Sequence, residues 1–434
     1  MNMNRFKILI ALVFLIGTSR TGAQESLSLS LEEARKHALE FNKTLHGSAL
    51  AMEKARQELR EAVANGLPQI AATADYSNSL GAVMSIRFNE NLPATEIEMK
   101  PTGNFYLNVN QLLFSGNYIV GVQMARLSEE LSRTNLQKTE LEVATQVSEA
   151  YYLCLMARES RRIVEQNLSN LESLYTKTAA MGKVGMIEQT DVDQLQVQVM
   201  AMRNAVSAIG RQEEMALNML RLQLGVAPTT RLTLSASLDA LMNDASGAGL
   251  LTVPFDPDKS VDYRLMKQQE LLAGKAVNMQ RANALPSLGA FYRYTYQFIE
   301  PNFNMTPPNM VGLQLNVPLF SSGLRTAQTR QALIDLKSLR NQISLLEDQL
   351  SLQDQQLRTD LNNALEAYQN QRQSVEVSRR VYQSLKLKYE QGLISGLDLI
   401  SADNNYLKAE NAYLSAMLDV LNARLRMEKL YGTL

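Results

Sequence analysis

The sequence is poor in the residues that most often carry chemistry, since its 434 residues include one cysteine, two histidines and no tryptophan. A single cysteine excludes an internal disulfide. Cys154 falls in an apolar helical stripe with Val147 and Tyr151, which favours a buried small side chain over a nucleophile. His37 and His46 belong to one predicted helix, a poor basis for a zinc site or a histidine-based triad. We therefore predict no catalytic residue, no metal site and no cofactor.

Charge of one sign and long apolar runs are also missing. Because 43 basic residues nearly balance 44 acidic ones, the net charge is −1, and nucleic acid is not an expected partner. After residues 8–16, no apolar run approaches the roughly 18 residues that indicate a transmembrane helix. That first run follows Arg5 and Lys7 and precedes Ala23, the pattern of a signal peptide over residues 1–23. The protein is thus predicted to be exported, to the periplasm, to the medium or into an outer-membrane barrel.

The most informative stretch, residues 311–328, changes its hydrophobic period halfway along. Apolar residues alternate with small or polar ones over 311–319, which predicts a strand with one apolar face. Ser321-Ser322-Gly323 then breaks the strand, and a polar helical pattern continues for roughly 65 residues, or about 100 Å. A strand with an apolar outer face that leads into so long a helix indicates a chain passing from a membrane into water.

The same order of elements occurs earlier in the chain, which predicts an internal two-fold repeat. The repeats span residues 24–228 and 260–434, and a connector at 229–259 joins them. The predicted elements of the first repeat are a helix at 31–64, strands at 69–78 and 103–113, a long helix at 117–181 and a helix at 190–224. Those of the second are a helix at 260–284, strands at 288–299 and 311–319, a long helix at 325–391 and a helix at 397–429.

The strand at 288–299 has the clearest alternation. Its apolar face carries Tyr292, Tyr294, Tyr296 and Phe298, while Arg, Thr and Gln lie opposite, as in a lipid-facing strand of a water-filled barrel. The alternative is a half-buried strand in a soluble sheet, which the sequence disfavours because it predicts too few strands for one. Membrane barrels begin at about eight strands and cannot leave open edges in lipid, so several copies must share one barrel.

The helical parts carry two further patterns. Apolar residues recur every seven positions along the last long helix, which predicts a coiled-coil seam: Leu336, Ile343, Leu350, Leu357 and Ala364. Each long helix ends at a glycine, Gly185 or Gly392, and an aspartate follows six positions later. The glycines suit a turn with positive φ, and Thr190, Asp191 and Asp398 are candidate helix caps.

Several motifs, in this order, resemble those of the TolC-like outer-membrane efflux channels. They are the paired Leu-Pro turns at 67–68 and 285–286, the segments 112–116 and 317–323, the segment 222–228, the two glycine tips and the terminal segment 430–434. The resemblance covers nearly the whole mature chain. It implies a mainly α fold with a small β part, in which three chains with four strands each build a twelve-stranded outer-membrane β-barrel. A long α-helical coiled-coil barrel continues it into the periplasm.

The resemblance also implies partners and tip residues. Outer-membrane lipid surrounds the barrel, a periplasmic adaptor docks around Gly185 and Gly392, and an inner-membrane pump of the RND or ABC class supplies the energy. In the family, a tyrosine near the second tip bonds an aspartate beyond the first. The matching positions are Tyr389 and Asp191, with Thr190 alongside.

The family's constriction residues are matched only in part. Asp398 corresponds to the first constriction carboxylate, but Ser401 stands where the second acidic ring would fall. The family's gate arginine is Ile394 here, so the resemblance implies a weaker latch unless Lys386 or Lys388 replaces the arginine.

Two classes of function follow from these observations. One is a passive exit duct of a tripartite efflux or type I secretion system, with no catalysis of its own. The alternative is a periplasmic coiled-coil adaptor or scaffold, which would share helical hairpins but not lipid-patterned strands. The cargo, whether drugs, metals or polypeptides, and the pump class stay open.

Overall fold

A computed structural model describes residues 26–87, 93–244, 247–300, 304 and 306–434, so the predicted signal peptide at 1–23 lies outside the described residues. These residues are mostly helical, with a small part in sheets, as the sequence predicted. They form two compact units, one made of the described residues within Met1–His46, Thr139–Phe255 and Leu352–Leu434. The other unit holds those within Gly47–Lys138 and Asp256–Ser351.

The helices have lengths that differ widely. They are α1 Leu31–Phe41, α2 Lys43–Ala64, α3 Gly116–Lys183, α4 Gln189–Leu224, α5 Leu238–Asp244, α6 Val261–Ala282, α7 Leu324–Glu390 and α8 Gly396–Tyr431. The strands are β1 Ser26–Leu29, β2 Gln69–Ser77, β3 Val83–Ile86, β4 Thr95–Glu98, β5 Thr102–Ser115, β6 Arg231–Leu234, β7 Ser287–Ile299 and β8 Asn309–Asn316.

The second unit contains an antiparallel sheet with the strand order β2-β5-β7-β8. Its register aligns Leu107 with Tyr294, and Val109 with Tyr292 and Val311, on one face. Tyr296, also on this face, is 56% exposed. One face of the sheet is therefore apolar, aromatic and open, as the alternation along the strands predicted.

The opposite face of this sheet is polar and bonded across its strands. Arg293 donates from Nε to Asn108 Oδ1 at 2.8 Å and lies over the Tyr106 ring, 5.8 Å from its centroid. The Asn104 amide donates to Asp75 at 3.1 Å. Cross-strand pairs of this kind stabilise a sheet and fix its register.

The predicted helix at 31–64 is wrong as one element, because the chain breaks at Asn42. The Asn42 Oδ1 accepts from the backbone N–H groups of Thr44 and Leu45 at 2.8 and 3.1 Å, so it caps α2. Its Nδ2 donates to the Gln223 carbonyl at 2.7 Å at the end of α4. The Asn42 side chain therefore satisfies backbone groups at the start of α2 and at the end of α4. These hydrogen bonds favour a break at Asn42 over one continuous helix.

The strand predicted at 311–319 is too long, since β8 ends at Asn316. Pro318 has no backbone N–H to donate to a neighbouring strand, which explains why the ladder stops before it. Ser322 and Gly323 then take positive φ values of 47° and 86° and turn the chain into α7.

Two small sheets were not predicted. The segment between the predicted strands at 69–78 and 103–113 contains the antiparallel hairpin β3–β4, and residues 88–92 in its middle lie outside the described residues. The connector contains β6, which pairs in parallel with β1 at the start of the described chain. Such pairing between distant segments leaves no local signal in the sequence beyond a short alternation.

The core of the first unit lies among the long helices. Its fully buried large side chains include Tyr151, Leu155, Leu171, Leu195, Leu220, Leu361 and Leu399. Of the predicted heptad residues, Leu357 in the first unit is buried and Ala364 is half-buried, while in the second unit Ile343 and Leu350 are buried and Leu336 is half-buried. Among the described residues, none of the helices combines the length and the hydropathy that crossing a lipid bilayer requires.

Candidate gate at the helical tips

The two helical turns at the tips have the same backbone geometry. Gly185 and Gly392 take φ values of 75° and 72°. The N–H of Gly185 bonds the Gly182 carbonyl at 3.0 Å, and that of Gly392 bonds the Tyr389 carbonyl at 2.9 Å. The next residue in each turn bonds back to a carbonyl five positions earlier. These are left-handed helix ends, for which glycine is the favoured residue.

The helix that follows the second tip begins with a capping box. The Asp398 carboxylate accepts from the Ser395 hydroxyl at 2.7 Å, and the Ser395 hydroxyl accepts from the Asp398 backbone N–H at 3.3 Å. The N-cap of α8 is therefore Ser395, and Asp398 is its capping-box partner rather than the cap itself. At the first tip the N-cap is Glu188, which has no side-chain capping bond.

Two of the predicted latch residues, Tyr389 and Asp191, both lie next to Gly396, but the tyrosine hydroxyl has another partner. The Tyr389 hydroxyl is buried and shares a 3.0 Å hydrogen bond with Thr178 Oγ1. Asp191 lies close by, because a Cβ placed on Gly396 would be 3.7 Å from Asp191 Oδ1 and 3.8 Å from Tyr389 Cε2. Thr190 instead donates to Glu188 at 3.2 Å. In this conformation Tyr389 therefore links α7 to α3 through Thr178.

An apolar cluster surrounds that hydrogen bond. Its buried members are Leu174, Leu195, Tyr389 and Leu399, which come from α3, α4, α7 and α8. Ile394, which the resemblance matches to the family's gate arginine, packs against this cluster. The isoleucine thus adds apolar contact where an arginine would add charge. The tip of this chain is held by apolar packing and one buried hydrogen bond.

Asp398 and Ser401 line one groove between α7 and α8. The groove has a volume of about 510 Å³, and its other lining residues are Val377, Ser378, Val381, Leu385, Ile394, Ala402 and Asn405. One carboxylate at the rim of an otherwise apolar and neutral groove gives a local negative potential without a second acidic group. Within the described ranges, no cluster of three or more His, Cys, Asp or Glu side chains is placed to hold a metal ion.

A buried polar pair was missed by sequence reasoning. Asp403 is 1% exposed, and Asn167 Nδ2 donates to its two carboxylate oxygens at 2.9 and 3.1 Å. Burial raises the pKa of Asp403 to about 6. The helical spacing puts Asp403 on the same face as the buried Leu399, four positions earlier, but its partner Asn167 lies on another helix and leaves no local signal in the sequence.

Arg358 holds part of the connector in the first unit. Arg358 donates to the carbonyls of Leu251 and Val253, both at 2.5 Å, and its Nε bonds Asp354 at 2.8 Å. The Asp354 bond raises the pKa of Arg358.

The C-terminal helix joins the Arg358 network. Tyr431 donates to Asp354 Oδ1 at 2.7 Å. Gly432 takes a positive φ of 63° as the C-cap of α8. A buried hydrogen bond and a left-handed cap therefore hold the end of the chain against α7.

Comparisons with known proteins agree with this architecture. Residues 34–226 and 262–433 match the model of the outer membrane efflux protein family. The outer membrane efflux protein BepC of Brucella suis is 25% identical, and the match covers 96% of this chain and 88% of BepC. The toluene efflux pump outer membrane protein TtgC of Pseudomonas putida is 23% identical, with 93% of this chain and 83% of TtgC covered.

Among solved structures, the CmeC outer membrane channel of Campylobacter jejuni has a similar fold, with a TM-score of 0.73 and 15% identity. The alignment covers 93% of this chain and 85% of CmeC. Because the family model matches most of the sequence, this chain belongs to the outer membrane efflux protein family, a family of outer-membrane channels and not of enzymes.

Proposed function

We propose that this protein is the outer-membrane exit duct of a tripartite efflux or type I secretion system. One observation carries the proposal: a four-stranded sheet with one open apolar face, whose strands β5 and β8 lead into helices of 68 and 67 residues. Three copies would supply twelve strands to one barrel and leave no strand edge in lipid. The helices then continue the duct through the periplasm.

The same proposal includes an internal two-fold repeat of residues 24–228 and 260–434. Supporting it, α4 and α8 each have 36 residues, and α2 and α6 each have 22. Both 36-residue helices end at a left-handed glycine, Gly225 or Gly432. Equal helices fit a duct wall in which both repeats take equivalent places.

The tips are proposed to dock a periplasmic adaptor, which would connect the duct to an inner-membrane pump of the RND or ABC class. Apolar side chains beside the two tip glycines are open to solvent: Val184 and Met186 are each 71% exposed, and Leu393 is 67% exposed. Exposed apolar residues around a rigid turn suit contact with another protein's helical tip.

The duct function is tested with the purified full chain. We expect the particle to have the mass of three copies and to form conducting channels in planar bilayers. Hexamminecobalt should block them from the periplasmic side, because three Asp398 carboxylates would meet at the pore. Asp398→Asn should weaken this block about tenfold, since it removes the charge and keeps an oxygen for the Ser395 capping bonds. Asp193→Asn is the matched control, as it removes an exposed carboxylate at the start of α4.

Equal block in both variants would reject Asp398 as the constriction. A monomeric particle without conductance would reject the duct itself. The alternative of a periplasmic adaptor or scaffold predicts that result, together with absence of heat-modifiable migration from outer-membrane fractions.

The tip latch is tested by removing one hydroxyl. Tyr389→Phe loses the buried bond with Thr178, worth about 1 kcal/mol, so the closed tips should open about fivefold more often in bilayer recordings. Combining it with Thr178→Val should add little, because both variants break the same bond. If Asp191→Ala instead raises opening and its effect disappears in Tyr389→Phe, the partner in the assembled duct is Asp191, as the resemblance implies.

A further inference from the structure

The buried pair of Asp403 and Asn167 lacks one hydrogen-bond donor. The Asn167 side chain is 6% exposed, and its Nδ2 donates to both oxygens of Asp403. Its Oδ1 is buried and has no hydrogen-bond partner among the described residues. A buried acceptor left unpaired next to a carboxylate that has no proton to give is costly.

We propose that Asp403 is a proton-operated lock between α3 and α8, which holds the two helices together when its carboxyl is protonated. The protonated carboxyl donates its O–H to Asn167 Oδ1, while the amide N–H stays on the other carboxyl oxygen. The two groups then form a closed pair of hydrogen bonds with no buried atom unpaired. The effect on transport rests on the proposed duct function, whereas the lock itself does not.

Other helices present only a few titratable or charged groups to this pair. From α7, the Tyr382 hydroxyl and the Lys386 ammonium both favour the charged form of the carboxyl and lower its pKa. On α8 itself, Glu410 repels the carboxylate, and Tyr406 stacks on Tyr382 with ring centroids 5.8 Å apart.

The contribution of α4 near this site is uncharged, because Gln198 donates to the neighbouring Asn404 at 3.0 Å. Burial is the largest influence and raises the pKa of Asp403 to about 6, above its ordinary 3.8. The attractive groups reduce this shift without cancelling it.

The sign of the effect follows from proton binding. Because the packed state has the higher pKa, it binds more protons than an opened state between about pH 4 and 6. The contribution of Asp403 to the packing of α8 against α3 is therefore fully present below about pH 4 and is lost as the pH rises through 6. An opening that exposes Asp403 to water should be about tenfold more favourable at pH 7.5 than at pH 5.

The lock is tested by hydrogen exchange of the full chain in detergent, analysed by mass spectrometry and corrected for the intrinsic pH dependence of amide exchange. In the unsubstituted protein, backbone amides of α8 around residue 403 should be about tenfold better protected at pH 5 than at pH 7.5. Asp403→Asn, which carries an N–H donor at every pH, should show equal protection at both. Asp419→Asn, at an exposed position of the same helix, should behave like the unsubstituted protein.

Equal amide protection of the unsubstituted protein at pH 5 and pH 7.5 would overturn the proposal, whatever the variants do. A pH dependence that persists in Asp403→Asn would overturn it as well, since another group would then be titrating. If hydrogen exchange shifts with pH but the protein shows no conductance in bilayers, the proposed duct function is rejected and the lock is retained. Conductance without any exchange shift would reject the lock alone.

Discussion

Gly225→Ala is expected to lower the free energy of unfolding of the first unit by about 2–5 kcal/mol. Gly225 ends α4 with φ of 72°, a conformation that costs an L-residue about 1–2 kcal/mol. A Cβ at this position would also lie 2.1 Å from the carbonyl oxygen of Phe41, which is backbone and cannot rotate away. Overpacking of this kind adds about 1–3 kcal/mol.

Gly392→Ala is the matched control for this prediction. Its φ is also 72°, but no atom lies within 4 Å of the added Cβ. The two variants share the conformational cost, and only Gly225→Ala has the steric one. Chemical denaturation followed by helical circular dichroism should show the larger midpoint shift for Gly225→Ala, at unchanged slope. Equal shifts would mean that the Phe41 contact relaxes freely.

Arg358→Leu is the second substitution with a large expected effect. We expect it to lower the free energy of unfolding by about 3 kcal/mol. It removes four hydrogen bonds at once: those to Leu251, Val253, Asp354 and Tyr431. It also leaves the Asp354 carboxylate, 8% exposed, without its cation. Arg358→Lys should lose less, because the charge stays while the planar fork that serves several acceptors does not.

Arg158→Leu provides the comparison. Arg158 donates to the carbonyls of Leu234 and Ala236 at 2.8 and 2.7 Å, so it holds another part of the connector. In the described part of the chain its side-chain bonds go only to carbonyls. Thermal unfolding of both leucine variants should show the smaller decrease for Arg158→Leu, about 1–2 kcal/mol. A larger decrease there would show that the connector carbonyls, and not the ion pair, dominate.

Features with a local cause were predictable from the sequence. Gly185 and Gly392 end the long helices, because only a residue without a Cβ takes positive φ at little cost. Strand faces followed from alternation, since successive side chains point to opposite sides of a strand. The long helices could be predicted from their length and from a heptad seam that is buried at Ile343 and Leu350.

Features that depend on distant contacts were not predictable. Asn42 has helical neighbours on both sides, and its bond to the distant end of α4 favours the break together with its local cap on α2. Tyr389 and Asp191 are close, yet Thr178 competes for the same hydroxyl from another helix. Asp403 looked like one of several polar residues near the start of α8. Its burial depends on how α3 and α7 pack against that helix.

The single cysteine, Cys154, is a natural probe of how often the core of this protein opens. Cys154 is 1% exposed, and burial raises its pKa to about 12, so in the folded chain it offers almost no reactive thiolate. Alkylation of the unsubstituted protein therefore proceeds only through openings that expose the middle of α3. The rate at which a thiol reagent adds one label per chain measures those openings directly, with no engineered cysteine and no competing thiol.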